Sequence, residues 1–105
     1  MSILLDSPVD ALRQYVSFSS VSADQNFAEG VTGAREFACS RLKELGFEVD
    51  LISTPIHPII LATRGDPSWP KLVIYGHYDV QPPDPLDLWT TDPFDPVERE
   101  GRLYG

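Results

Sequence analysis

The sequence predicts an α/β layered fold, and the order of its patterns carries that expectation. Two stretches of apolar residues at helical spacing occupy the first 45 or so positions, and shorter runs of strand character follow from Phe47 onward. Helices followed by strands in one small chain indicate helices packed on a mixed sheet. At 105 residues, with 42% hydrophobic and 23% charged side chains, the chain has the size and composition of one ordinary globular domain.

The first helix is expected over Pro8 to Phe18. Ser7 supplies a capping hydroxyl, Pro8 stands at the first helical position, and Val9, Leu12, Tyr15 and Val16 recur at helical spacing. The run Ser17-Phe18-Ser19-Ser20-Val21-Ser22 should end it, because its hydroxyls compete for backbone hydrogen bonds. A second helix is expected from about Asn26 to Leu45, with Phe27, Val31, Ala34, Ala38, Leu42 and Leu45 on one face and Gly46 as its stop. Gly30 and Gly33 weaken its early turns.

Phe47 to Ile52 alternates apolar and polar residues, as a half-buried strand does. Ile59 to Thr63 reads as a second strand after a turn at Pro55 and Pro58, and Gly65 to Pro70 as a loop. Leu72-Val73-Ile74-Tyr75 is a continuous apolar run, the pattern of a strand buried on both faces of a helix-covered sheet. Five of the ten prolines fall between Pro82 and Pro96, so that segment should be irregular yet stiff. Val97 to Tyr104 suits a hairpin turning at Glu100-Gly101.

Sixteen acidic against eight basic side chains give a net charge of -8, which argues against nucleic acid as a partner. The acidic residues Asp79, Asp84, Asp87, Asp92 and Asp95 read as a solvated loop. The single cysteine, Cys39, excludes an intrachain disulfide framework and fits a reducing compartment, with a small buried hydrophobe as its expected role. No apolar run reaches the roughly 18–20 residues of a membrane helix, so no membrane partner is expected. The opening Met1 to Asp6 lacks the basic and apolar regions of a signal peptide. Those features together read as cytoplasmic.

The chemistry concentrates in Tyr75-Gly76-His77-Tyr78-Asp79-Val80. A histidine and an aspartate two residues apart share one side of an extended chain, at the end of an expected strand, where ligands of α/β sheets bind. A neutral imidazole is a good zinc ligand, and a neighbouring carboxylate can orient it. His-x-Asp alone does not separate a metal ligand from a hydrogen-bonded structural histidine, so this reading stops at an α/β domain with a candidate metal site.

Tyr75 to Pro82 resembles the first metal-ligand motif of the zinc-dependent exopeptidases, the family of carnosinase-type dipeptidases, aminoacylases, acetylornithine deacetylases and succinyl-diaminopimelate desuccinylases. The likeness continues through Asp84-Pro85-Leu86-Asp87-Leu88-Trp89, Pro93-Phe94, Pro96 and Gly101-Arg102-Leu103-Tyr104-Gly105. Gln81-Pro82 and Pro85 to Trp89 look most like the dipeptidase branch. Ser20-Val21-Ser22 and Leu45-Gly46-Phe47 also fit the family's N-terminal pattern. Asp92 departs from it, standing where many relatives have another proline.

The resemblance implies that residues 1–105 are the N-terminal portion of a three-layer α/β/α catalytic domain with a mixed, mostly parallel sheet. It implies His77 as a ligand to zinc and Asp79 as the catalytic-site aspartate that orients this histidine. It further implies two Zn2+ ions per subunit, with Mn2+ or Co2+ as alternatives, a dipeptide or N-acyl amino acid as substrate, and a homodimer for the complete protein. Family members continue past Leu-Tyr-Gly with Arg-Gly and a metal-bridging aspartate, followed by the glutamate general base and a lid domain. This sequence ends at Gly105, so the 105 residues alone are expected to be inactive. The competing expectation is a non-catalytic relative that binds a partner through unfinished sheet edges. Trp89 and Phe94 are expected to pack the loop that frames the site, and His57 to be structural rather than a ligand.

Overall fold

The computed structural model describes residues 7–105; the reading of Met1 to Asp6 lies outside the described residues. Helix α1 spans Pro8–Val16. Ser7 caps it as expected, its hydroxyl accepting from the Asp10 N–H at 3.1 Å. A 3-10 turn at Gln25–Phe27, capped by Asp24, leads into α2 at Ala28–Glu44. The second helix ends on Gly46 at φ 85°, where the Gly46 and Phe47 N–H groups return to the carbonyls of Lys43 and Leu42. That pairing is the Schellman arrangement that a left-handed glycine permits.

Strands β1 (Glu48–Ile52) and β2 (Ile59–Thr63) form an antiparallel pair, with Leu51 opposite Ile60 and Val49 opposite Ala62. The face carrying Val49, Ile60 and Ala62 is half-buried, and α2 is the helix that contacts both strands. Ile52, Ile59 and Leu61 on the other face remain exposed. A second antiparallel pair, β3 (Val97–Arg99) and β4 (Arg102–Tyr104), turns at Glu100 and Gly101, whose φ values of 51° and 73° match the type I′ hairpin turn.

Two expectations need correction. Leu72 to Tyr75 do not form a strand: these residues lie outside any sheet and are 85–89% exposed. A strand exists only where another strand completes its hydrogen-bond ladder, and none among the described residues runs beside this segment. For the same reason the described residues do not build a three-layer, mostly parallel sheet. They form two antiparallel pairs and one parallel bridge, Val21 to Val80, with a helix covering one face of β1–β2.

The core is correspondingly small. Val21, Val31, Ala34 and Cys39 are buried in it, and Pro93 and Pro96 are also buried. The radius of gyration, 15.8 Å, exceeds the roughly 13 Å expected of a compact chain this long. Tyr15 stacks on Phe37 of α2 and Phe18 packs against the same ring at a tilt, with centroids 5.5 and 5.6 Å apart. Gly30 and Gly33 make this contact possible. A Cβ on Gly30 would overlap the Phe18 and Ser19 carbonyl oxygens, and one on Gly33 would lie 2.6 Å from the Phe18 ring. The glycines therefore let the loop after α1 lie directly on α2, which positions everything from Ser20 to Ser22. No described helix is long and apolar enough to cross a membrane.

Candidate metal-ligand site

His77 and Asp79 sit just beyond the exposed strip, on a segment tied to two other parts of the chain. The Val80 N–H donates to the Ser20 carbonyl at 2.9 Å, completing the parallel bridge between Val21 and Val80. The Tyr78 hydroxyl donates to the Pro58 carbonyl at 2.6 Å, just before β2 begins. Val21, fully buried, and Ser20, 5% exposed, anchor the loop on the other side. The residues of the site thus owe their placement to long-range bonds rather than to a strand of their own.

His77 Nδ1 lies 2.9 Å from the Asp79 backbone carbonyl and 3.1 Å from Asp79 Oδ1. A carbonyl can only accept a hydrogen bond, so Nδ1 carries the proton. The neutral ring then presents its lone pair at Nε2, on a side chain that is 69% exposed. Asp79 Oδ2 accepts a 2.6 Å hydrogen bond from the Ser22 hydroxyl. That hydrogen bond is the main reason the Asp79 carboxyl is held below its ordinary pKa; burial opposes the shift, and His77 adds to it. Tyr15 responds in the opposite sense. Its burial, and then the nearby Asp79 charge, raise the phenol's pKa and keep it protonated.

The structure brings His77 and Asp79 together and leaves His57 apart in role. His57 Nε2 donates to the Ser22 carbonyl at 3.2 Å, and its own carbonyl accepts from the Thr54 hydroxyl at 2.6 Å. It is a tether between the Ser22 loop and the entry to β2. Trp89 donates from its indole nitrogen to the Pro83 carbonyl at 2.8 Å, and Phe94 packs against Phe27 with centroids 6.0 Å apart. Both border an open cleft of about 620 Å³ that includes neither His77 nor Asp79. The preceding loop contains a cis peptide bond between Asp84 and Pro85.

The donor chemistry fits one metal ligand. His77 offers a single imidazole with a defined tautomer, and among the described residues no group of three or more His, Cys, Asp or Glu side chains converges to hold an ion. Zinc sites ordinarily use three or four protein ligands, more than the described residues bring together here. The contact of Ser22 with Asp79 and the close approach that the two glycines of α2 permit were not foreseen from the sequence. The Ser20-Val21-Ser22 hydroxyls were visible, but a hydrogen bond across 57 positions leaves no local signature.

Over most of its length the chain is similar to metallodipeptidases and to succinyl-diaminopimelate desuccinylases. The Cys-Gly metallodipeptidase dug1 of Schizosaccharomyces pombe is 37% identical over 112 aligned residues, covering 95% of this chain and 24% of that protein. The succinyl-diaminopimelate desuccinylase of Xylella fastidiosa is 41% identical over 73 residues, covering 70% of this chain and 19% of that enzyme. Among solved structures, the di-peptidase Dug1p of Saccharomyces cerevisiae superimposes with a TM-score of 0.74 at 31% identity, over 85% of this chain and 21% of its own. The chain spans about a quarter or less of the length of the relatives it matches. No protein-family profile matches it.

Proposed function

Because this chain belongs to the family that contains these metallodipeptidases and desuccinylases, we propose that it forms part of a zinc-dependent hydrolase acting on the amide bond of dipeptides or N-acyl amino acids. The observation that carries the reading is the His77–Asp79 pair. Asp79 holds the Nδ1 proton through both its carbonyl and its carboxylate, which leaves Nε2 free to donate to a metal. When bound, a divalent metal supplies Lewis-acid polarisation of the scissile carbonyl and acidifies a water. His77 contributes one donor to that site, and Asp79 orients the ring. The dipeptide preference draws on the relatives whose names specify dipeptidases. Two zinc ions, a homodimer and a cytoplasmic setting belong to the same reading, with Mn2+ or Co2+ as alternative metals.

In the complete protein, His77→Ala should remove one of two bound metals, measured as metal content per subunit after dialysis. Retention of both ions would reject the ligand assignment. Asp79→Ala should retain most of the metal and lower kcat; unchanged turnover would remove Asp79 from the mechanism. The 105 residues by themselves, with one imidazole donor, should not hydrolyse dipeptides at any added zinc concentration. Zinc-dependent turnover by this chain would overturn that expectation.

The exposure of Leu72 to Tyr75 favours a second reading, a non-catalytic relative that pairs through this strip. Size-exclusion chromatography separates the two, since a well-folded monomer of this chain alone weakens the pairing account.

A further inference from the structure

We propose that Ser22 is a positioning residue for the metal-binding histidine, acting through the Asp79 carboxylate. The inference rests on the reading of His77 as a metal ligand and extends it by one residue. Asp79 has two carboxylate oxygens with separate partners: Oδ1 faces His77 Nδ1 at 3.1 Å, and Oδ2 accepts from the Ser22 hydroxyl at 2.6 Å. Rotation about the bond to a carboxylate is soft, so one contact with an exposed imidazole would not fix its plane. A short hydrogen bond to an ionised oxygen is among the stronger polar contacts available to it. With Oδ2 held by Ser22, Oδ1 remains directed at the ring.

Ser22 can do this because its own backbone is held on both sides. Val21 is fully buried and bridges Val80, and the Ser20 carbonyl accepts from the Val80 N–H. The Ser22 carbonyl accepts from His57 Nε2 at 3.2 Å. The hydroxyl is thus delivered by a loop anchored to the 77–80 segment and to the entry of β2. Its bond to Asp79 spans 57 positions, unlike the local turn contacts that serine usually makes. Ser22 touches neither the ring nor the metal position directly; its effect passes through Asp79.

The test uses the complete metal-binding protein with Ser22→Ala, Ser22→Cys and Ser22→Thr, read by zinc affinity in chelator competition and by the 15N imidazole signals of the metal-free protein. Ser22→Ala should weaken one of two zinc sites about threefold to tenfold, at or below the low end of the range for partners that orient ligands directly. It should also shift the His77 15N signals by loosening the Oδ1 contact, while the Asp79 carbonyl keeps the proton on Nδ1. Ser22→Thr, which keeps the hydroxyl, should restore both readouts, whereas Ser22→Cys should follow alanine. The thiol keeps the volume, so the cysteine variant decides the question if alanine prevents folding. Unchanged zinc affinity and unchanged His77 signals in Ser22→Ala or Ser22→Cys would overturn the proposal. His77→Ala is the control that separates failures: if it loses one metal while the Ser22 variants bind normally, Ser22 has no positioning role and the ligand reading stands. If it keeps both metals, the ligand reading itself falls.

Discussion

Residues 72–75 and 77–80 adjoin in sequence and differ in what surrounds them. Leu72 to Tyr75 are 85–89% exposed and pair with nothing described, whereas Tyr78, Asp79 and Val80 each bond to a distant part of the chain. An apolar strand needs sheet neighbours to satisfy its backbone and cover its faces. The 77–80 segment is held instead by individual hydrogen bonds from the Ser20–Ser22 loop and Pro58. The contrast shows that the candidate site is organised by contacts within this chain, while the apolar run beside it depends on a surface these residues do not provide.

The comparison breaks most readily at Gly30. Gly30→Ala would place a Cβ on the Phe18 and Ser19 carbonyls, and relief requires the loop to leave α2 and take Ser20 to Ser22 with it. The expected loss is about 3 kcal/mol or more, the upper range for overpacking against backbone, measured by urea denaturation. A variant as stable as the parent would show that the loop does not lie where described. Val21→Ala should follow, at about 1.5–2 kcal/mol for roughly 0.8 kcal/mol per buried methyl group. It should be accompanied by faster amide exchange at Val80, whose bridge partner it loosens.

Acid sharpens the same contrast on a smaller scale. A carboxylate with a depressed native pKa stabilises the fold above its unfolded value of about 3.9, and that contribution is lost as pH falls through the lowered native value. For Asp79 the amplitude should be below about 1 kcal/mol because its side chain is partly exposed. Stability followed from about pH 5 to pH 2 should therefore fall less steeply in Ser22→Ala than in the parent. Equal slopes would remove Ser22 as the source of the shift. Smallest of all, Ile74→Asp in this chain should change stability by no more than about 0.5 kcal/mol, as for an exposed position. A larger loss in a longer protein containing this sequence would reveal that the strip is covered there.

How much of this was legible beforehand follows from how far each signal reaches. Ser7, Pro8, Gly46 and Glu100-Gly101 announce local geometry through their own chemistry, and the helices, the strands β1 and β2 and the hairpin of β3 and β4 appeared near the expected positions, though the antiparallel pairing of β1 with β2 was not foreseen. Leu72 to Tyr75 carried a genuine strand pattern, but pattern cannot supply a partner. His77 and Asp79 were singled out because they lie two residues apart and resemble a family motif, and the structure brings the two side chains into contact. Ser22 was passed over because its partner is remote in sequence. Gly30 and Gly33 were read as weak helix formers, when their role is to admit the loop that carries Ser22.

Whether Asp79 fixes the His77 tautomer is tested most directly by 15N spectra of histidine-labelled protein at a pH where both rings are neutral. With resonances assigned from His57→Gln and His77→Gln variants, His77 should show a protonated Nδ1 and a bare Nε2. His57, which donates from Nε2 to the Ser22 carbonyl, should show the opposite tautomer in the same spectrum. A His77 ring protonated at Nε2, or the same tautomer in both histidines, would contradict the account.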